Sequence, residues 1–376
     1  MKAVTYQGFK NIKVKKVKDP IIEQDDDVII KVTSTSICGS DLHIYHGLIP
    51  GVNKGHVIGH ETMGIIVATG KEVNHIKKGD RIIVPFPVSC GHCYYCEHEL
   101  WSQCDDSNVN GEVGAVFGYG KLLGGYDGGQ AEYLRVPYAN VGPTIVPEYL
   151  SDEEALFLTD ALTTAYWGAE QANVRVGDTV VVLGSGPIGL LTQKCAAYMG
   201  AGRIIAVDHV DYRLNHAKTS NGVEVVNFND YKNTGEYIKE ITNGGADAVI
   251  DCVGLSGKMS FVEKLETALK IQGGSKSAIE IASQAVRKGG NVSLVGVYGA
   301  RYNNFPLGDF FSRNITLKMG QCPVHSYVDP LMNLVKEKKI DPTDIITHKL
   351  PLYKSEQAYK LFNNKEEDCI KVILKP

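Results

Sequence analysis

TVVVLGSGPIG, residues 179–189, sets a continuous apolar run against a glycine-rich turn, and RIIAVD, residues 203–208, follows as a second apolar run ending in an acid. The first run predicts a buried strand, and the turn opens a second segment, PIGLLTQKCAAYMG, with helical character. Three glycines are spaced for three tasks: a tight turn at Gly184, close approach of a pyrophosphate to backbone amides at Gly186, and close packing of helix on strand at Gly189. A helix N-terminus that starts there favours an anion. Asp208 lies twenty-four residues beyond Gly184. A carboxylate at that place accepts hydrogen bonds from both adenosine ribose hydroxyls and repels a 2′-phosphate, so NAD is expected over NADP. Arg213 is the nearby cation that works against this preference.

Outward from this motif the chain continues as alternating strand and helix. DYRLNHAKTS, EVVNF, a further helix, ADAVIDCVG and the strand NVSLVGVYG complete a βαβ series, which implies a parallel sheet covered on both faces. Residues 255–276, LSGKMSFVEKLETALKIQGGSK, lengthen the link between the strand ending at Val253 and a helix near Ser277–Lys288. That exceeds the usual βα loop of about two to six residues. N-terminal to the motif, DVIIKVTST, TMGIIVATG and DRIIVPF are β-rich pieces separated by turn residues. SDEEALFL starts a helix, with Ser151 as N-cap and acids in the first turn. The expected organisation is a β-rich domain at 1–160 completed by 300–376, and a nucleotide-binding domain at 161–299.

The composition agrees with two cores: 376 residues, 43% hydrophobic, and a net charge of −4 with no basic stripe, so neither a nucleic-acid nor a membrane partner is expected. The start, MKAVTYQGFKNIKVKKV, alternates like a strand and lacks the apolar stretch of a signal peptide, from which a cytoplasmic protein is expected.

Four of the nine cysteines, Cys90, Cys93, Cys96 and Cys104, fall within fifteen residues. Their neighbours Gly91, His92, Tyr94, Tyr95 and Glu97 do not resemble a core, so about residues 87–107 read as a lobe ordered by a closed tetrahedral zinc. Cys38 in ICGSDLH and His60 in GHE offer a thiolate and an imidazole from the β-rich domain; a zinc with an open position would need a third ligand. In ALFLTDALTTAYWGA, residues 155–169, Asp160 stands among apolar residues, and helix capping is the simplest account of it.

CGSDLH, GHE, the four-cysteine lobe, TDALTTAYWGA, GSGPIG and VD at 207–208, in this order, resemble the zinc-dependent alcohol dehydrogenases of the medium-chain dehydrogenase/reductase superfamily. The resemblance implies an α/β fold in which a GroES-like catalytic domain is interrupted by a Rossmann domain with a doubly wound parallel sheet. It implies NAD and two zinc ions per chain. Cys38, His60 and Asp160 would hold the catalytic zinc, with Glu61 a neighbour or exchange ligand. The thiolate and carboxylate cancel the metal's charge as two thiolates would. Ser40 would pass a proton through the cofactor ribose to His43, which would reach solvent. Cofactor contacts would come from Gly184, Gly186, Pro187, Ile188, Gly189, Asp208, Arg213 and Val297, with Lys371 on the pyrophosphate or, alternatively, simply solvated. His46 and His325 are the remaining histidines expected near substrate, while Cys195, Cys252, Cys322 and Cys369 read as small core residues.

An acid at position 160, GQCPVHSY near the C-terminus and the 255–276 insertion resemble the glutathione-independent formaldehyde dehydrogenase branch. There an insertion covers the adenine of a tightly held NAD. Substrates would be alcohols or hydrated aldehydes, and the assembly a homotetramer or dimer. The alternatives are a polyol or amino-alcohol dehydrogenase of the same superfamily, and a non-catalytic NAD-binding zinc protein.

Overall fold

A computed structural model describes residues 1–109, 111, 113–254, 277–299, 302 and 305–376. The 255–276 insertion and its expected cover over the cofactor lie outside the described residues. The chain divides into two compact units, Met1–Thr163 with Pro323–Pro376, and Thr164–Cys322.

The first unit is built on a seven-stranded sheet. Strand Val28–Ile37 is central: it pairs antiparallel with Thr62–Thr69, with Tyr133–Val136 and with the C-terminal strand Lys371–Lys375. Its core side chains Val28, Ile30 and Val32 alternate with Ile29 and Lys31 on the other face, as the period of a strand requires. The register Val372↔Ile37 sets Lys371 at the end of the strand that leads into Cys38. Helix Asp152–Leu156 starts on a capping box in which Ser151 and Glu154 each bond the other's backbone amide, as the sequence SDEE predicts.

The second unit carries a six-stranded parallel sheet. Its order is Glu224–Asn227, Arg203–Asp208, Thr179–Leu183, Ala246–Asp251, Val286–Leu294, Thr316–Met319. Numbered along the chain this is 3-2-1-4-5-6, the doubly wound order whose crevice lies at the carboxyl ends of the first and fourth strands. Val181, Leu183, Ile205, Val207, Val249 and Val292 form the centre of its core.

Two boundaries differ from the sequence reading. The expected return to the first unit near residue 300 falls at Pro323, because Thr316–Met319 adds a sixth parallel strand beside Val286–Leu294. The helix expected to reach Lys288 ends at Ala285, because Val286 enters the sheet opposite Ala246. Among the described residues no helix is long and apolar enough to cross a membrane.

Candidate metal and cofactor sites

Cys38 follows the central strand of the first unit, His60 precedes the next strand, and Asp160 ends a 3-10 turn, Phe157–Thr159, just before helix Ala161–Gln171. Pairing of the two strands brings the first two together, and the turn delivers the third. Asp160 Oδ2 is 3.5 Å from Cys38 Sγ and 3.3 Å from His60 Nε2. These three and Glu61 each offer a ligand atom, all within 4.8 Å of one another, and all four residues are buried. The Asp160 carboxylate thus faces the thiol and the imidazole.

The charges of this cluster ask for a cation. Burial, then the carboxylates of Asp160 and Glu61, push the Cys38 thiol up. Burial works against a charged His60, yet the Asp41 and Asp160 carboxylates outweigh it and lift the imidazole well above its ordinary value. A divalent ion with one thiolate, one carboxylate and one neutral imidazole relieves both tensions, and the donor set suits zinc.

Asp41, which the sequence reading passes over, orients the cluster. Its Oδ1 lies 3.2 Å from His60 Nδ1, leaving Nε2 for a metal, and its Oδ2 accepts the Cys38 amide at 2.9 Å. Gln130 donates to the same Oδ2 at 3.2 Å and accepts from Tyr359 Oη at 2.9 Å. The signal was present in CGSDLH, one helical turn beyond the cysteine, but a lone Asp after a ligand has many local uses.

Ser40 Oγ lies 3.2 Å from His60 Nε2. His43 corrects the sequence reading: it does not reach solvent but is 5% exposed, because the helix Asp41–Tyr45 turns it inward along with Ile44 and Tyr45. Burial holds its imidazole down to about 4, with His46 adding to the shift, and among the described residues neither ring nitrogen has a hydrogen-bond partner.

Glu61 Oε2 accepts from Lys371 Nζ and from Ser36 Oγ, while its Oε1 has no hydrogen-bond partner among the described residues. The solvated alternative for Lys371 is overturned: the side chain is 1% exposed and its ammonium is committed to Glu61 in the first unit. His325 stacks on Trp101 of the cysteine lobe at 5.0 Å, and His46 ends the helix that carries His43. Cys195, Cys322 and Cys369 are buried, and Cys252 is half-buried with its sulfur 3.5 Å from Thr192 Oγ1.

The four clustered cysteines converge as a second set, with Cys90 and Cys96 sulfurs 4.0 Å apart and Cys93 and Cys104 sulfurs 3.9 Å apart. Neither distance suits a disulfide. Both suit a tetrahedron of Zn–S bonds of about 2.3 Å, whose edge is about 3.8 Å. The amides of Cys90, His92 and Cys93 donate to cysteine sulfurs, as thiolate ligands require.

In the second unit the glycine turn has the form its sequence predicts. Gly184 takes φ +88°, and a Cβ at Gly189 would stand 1.8 Å from Gly184 O. Among the described residues a Cβ at Gly186 would meet only Arg213 Nη1, at 3.6 Å, so the turn leaves room for a phosphate to approach the backbone. Pro187 and Ile188 form the first turn of helix Pro187–Tyr198. Val297 lies against Gly254, whose Cβ would stand 2.4 Å from Val297 N.

Asp208 accepts the Ser185 and His209 amides, each at 2.6 Å, and the Val210 amide at 3.1 Å. Against burial, which raises it, the His209 side chain and then Arg213 hold its carboxyl down to about 2, below the ordinary 3.8. A depressed acid contributes stability that is present above the ordinary value and is lost as pH falls through the folded one. We therefore expect Asp208→Asn to cost about 2 kcal/mol near pH 6 and almost nothing near pH 2, read by urea unfolding at each pH. A constant difference across that range would show that the charge is not the cause.

Residues 24–148 match the family model described as alcohol dehydrogenase GroES-like domain, and residues 187–273 that of zinc-binding dehydrogenase. The chain is 57% identical over 378 residues to the zinc-type alcohol dehydrogenase-like protein AdhB of Bacillus subtilis, covering 100% of each. It is 33% identical over 357 residues to the glutathione-independent formaldehyde dehydrogenase of the same organism, covering 87% of this chain and 83% of the other. Alcohol dehydrogenase TADH from Thermus sp. ATN1 superposes with a TM-score of 0.85 at 36% identity, covering 100% of this chain and 99% of that one.

Proposed function

The chain belongs to the zinc-type alcohol dehydrogenases, combining a GroES-like domain with a Rossmann-like parallel sheet, and from that premise we propose that it is an NAD-dependent oxidoreductase acting on an alcohol or hydrated aldehyde. The observation that carries this reading is the buried Cys38, His60 and Asp160 cluster, with Asp41 fixing the imidazole from behind.

When bound, zinc supplies Lewis acidity toward a substrate oxygen, and NAD accepts or returns a hydride. The chain supplies the rest. Asp41 sets a carboxylate oxygen 3.2 Å from His60 Nδ1, while Nε2 on the other edge of the ring stands 3.3 Å from Asp160. Ser40 Oγ, 3.2 Å from His60 Nε2, is placed to take the proton from a substrate hydroxyl. His43, held down to about 4 by burial, is neutral near pH 7, so one ring nitrogen already carries a proton and only the other could take one up, in passing. Burial of all four cluster residues excludes water from the charges that develop. In the second unit the turn at Gly186 receives the pyrophosphate and Asp208 the adenosine ribose, in preference to a 2′-phosphate.

The carboxylate at position 160 and the likeness to a formaldehyde dehydrogenase support the formaldehyde-linked branch. The test is metal and cofactor analysis of the purified protein. We expect two zinc ions per chain, together with reduction of NAD and not NADP when formaldehyde and short alcohols are offered. A single zinc per chain, or turnover with NADP alone, would overturn the respective assignment.

A further inference from the structure

Phe117–Gly120 carries a tyrosine that the mechanism above leaves unused. Gly118 and Gly120 both adopt positive φ, +72° and +78°. A Cβ at Gly118 would stand 2.7 Å from Gly59 N, and one at Gly120 would stand 2.8 Å from Gly51 O. The turn is thus pressed against the residue that precedes His60, and Tyr119 is directed inward. Its side chain is 7% exposed, its ring meets His60 edge-on at 5.6 Å, and its hydroxyl feels the charges of His60, Asp41 and Cys38 and the hydroxyl of Ser40 beside it. Among the described residues that hydroxyl completes no hydrogen bond of normal length and angle, Ser40 being the side chain that interacts with it most nearly as one. Buried phenols ordinarily find one, since an unpaired polar group away from water is costly, so the missing partner belongs to a ligand.

We propose that Tyr119 is a substrate-binding group whose hydroxyl pairs with a second hydroxyl on, or next to, the reacting carbon, which makes hydrated aldehydes or vicinal diols the preferred substrates over simple mono-alcohols. The proposal rests on the dehydrogenase reading above. Ser40 serves the oxygen that loses its proton, and a geminal or vicinal hydroxyl lies one hydrogen bond away from it. A mono-alcohol leaves the phenol unpaired, and a site built around a hydrogen bond rejects the analogue that lacks it.

The experiment compares wild type with Tyr119→Phe, both full-length and zinc-loaded, using formaldehyde, 1,2-propanediol and 1-propanol with NAD. Wild type should prefer at least one of the first two by kcat/KM, and the variant should lose about tenfold to a hundredfold of that preference. Loss on formaldehyde identifies a geminal hydroxyl, and loss on the diol a vicinal one. A uniform change across all three, or none, overturns the proposal, because a water-bridged or merely structural phenol acts on every substrate alike. Ligand-observed NMR titrations with methanediol, 1,2-propanediol and 1-propanol decide the point without turnover. Binding of a hydroxylated ligand should exceed that of 1-propanol in wild type and fall to its level in the variant; equal behaviour in both proteins counts against Tyr119. Absence of turnover with all three in wild type would overturn the dehydrogenase reading, while the titrations still judge the tyrosine.

Discussion

Asp160→Ala is expected to yield a folded protein that retains about one zinc per chain and has lost turnover by roughly 10³-fold or more, the rate equivalent of several kcal/mol of Lewis-acid stabilisation. The carboxylate faces both other donors, at 3.5 Å from Cys38 Sγ and 3.3 Å from His60 Nε2. Truncation leaves a thiolate and an imidazole beside Glu61, whose carboxylate is already engaged by Lys371 and Ser36, a set too weak to hold the ion at full occupancy. The fold should survive, because the Asp160 backbone carbonyl still accepts from Thr163 Oγ1 after truncation of the side chain. Asp160→Cys separates ligand loss from charge loss: it keeps one anionic donor, so zinc content should return to two with part of the activity. Metal analysis by mass spectrometry and thermal unfolding read both outcomes. Full zinc and full activity in Asp160→Ala would remove the residue from the site.

Lys371→Met should cost about 3–5 kcal/mol, since it leaves the Glu61 carboxylate buried without its counter-charge. Lys371 is 1% exposed and Glu61 2%, so water cannot replace the ammonium. Ser36 Oγ would remain as a donor to Glu61 Oε2, but a neutral hydroxyl does not balance an anion at this depth. Lys371 Nζ also stands 5.9 Å from the centre of the Phe157 ring, a contact the thioether retains in part. The midpoint of thermal unfolding should fall by about 10 °C. Adding Glu61→Gln should recover much of this, because a neutral amide beside a methionine removes the uncompensated charge. If the double variant is no more stable than Lys371→Met alone, the loss comes from packing and not from the ion pair.

How much of this was legible before the fold follows from separation along the chain. The glycine turn and Asp208 were readable because strand, turn, helix and second strand are consecutive, and each glycine answers a local backbone demand: positive φ at Gly184, contact with Gly184 O at Gly189. The four cysteines were readable for the same reason. Asp160 needed the resemblance, since nothing near it in sequence points to a thiol 122 residues earlier. Lys371 was placed on a pyrophosphate by analogy, and its bond to Glu61 spans 310 residues. Solvent access at His43 was misjudged because a five-residue helix gives no periodicity from which to read its buried face.

The sequence by itself determined the two-domain class, the nucleotide turn and a thiolate metal lobe, because those depend on short spacings that a chain must satisfy wherever it folds. Tertiary structure alone decided which groups share the buried cluster. Antiparallel pairing of Lys371–Lys375 with Val28–Ile37 carries the ammonium to Glu61, and Asp41 and Tyr119 reach His60 from a short helix and a distant turn. Such meetings are set by sheet register and by glycine contacts between distant segments, and no local pattern encodes them.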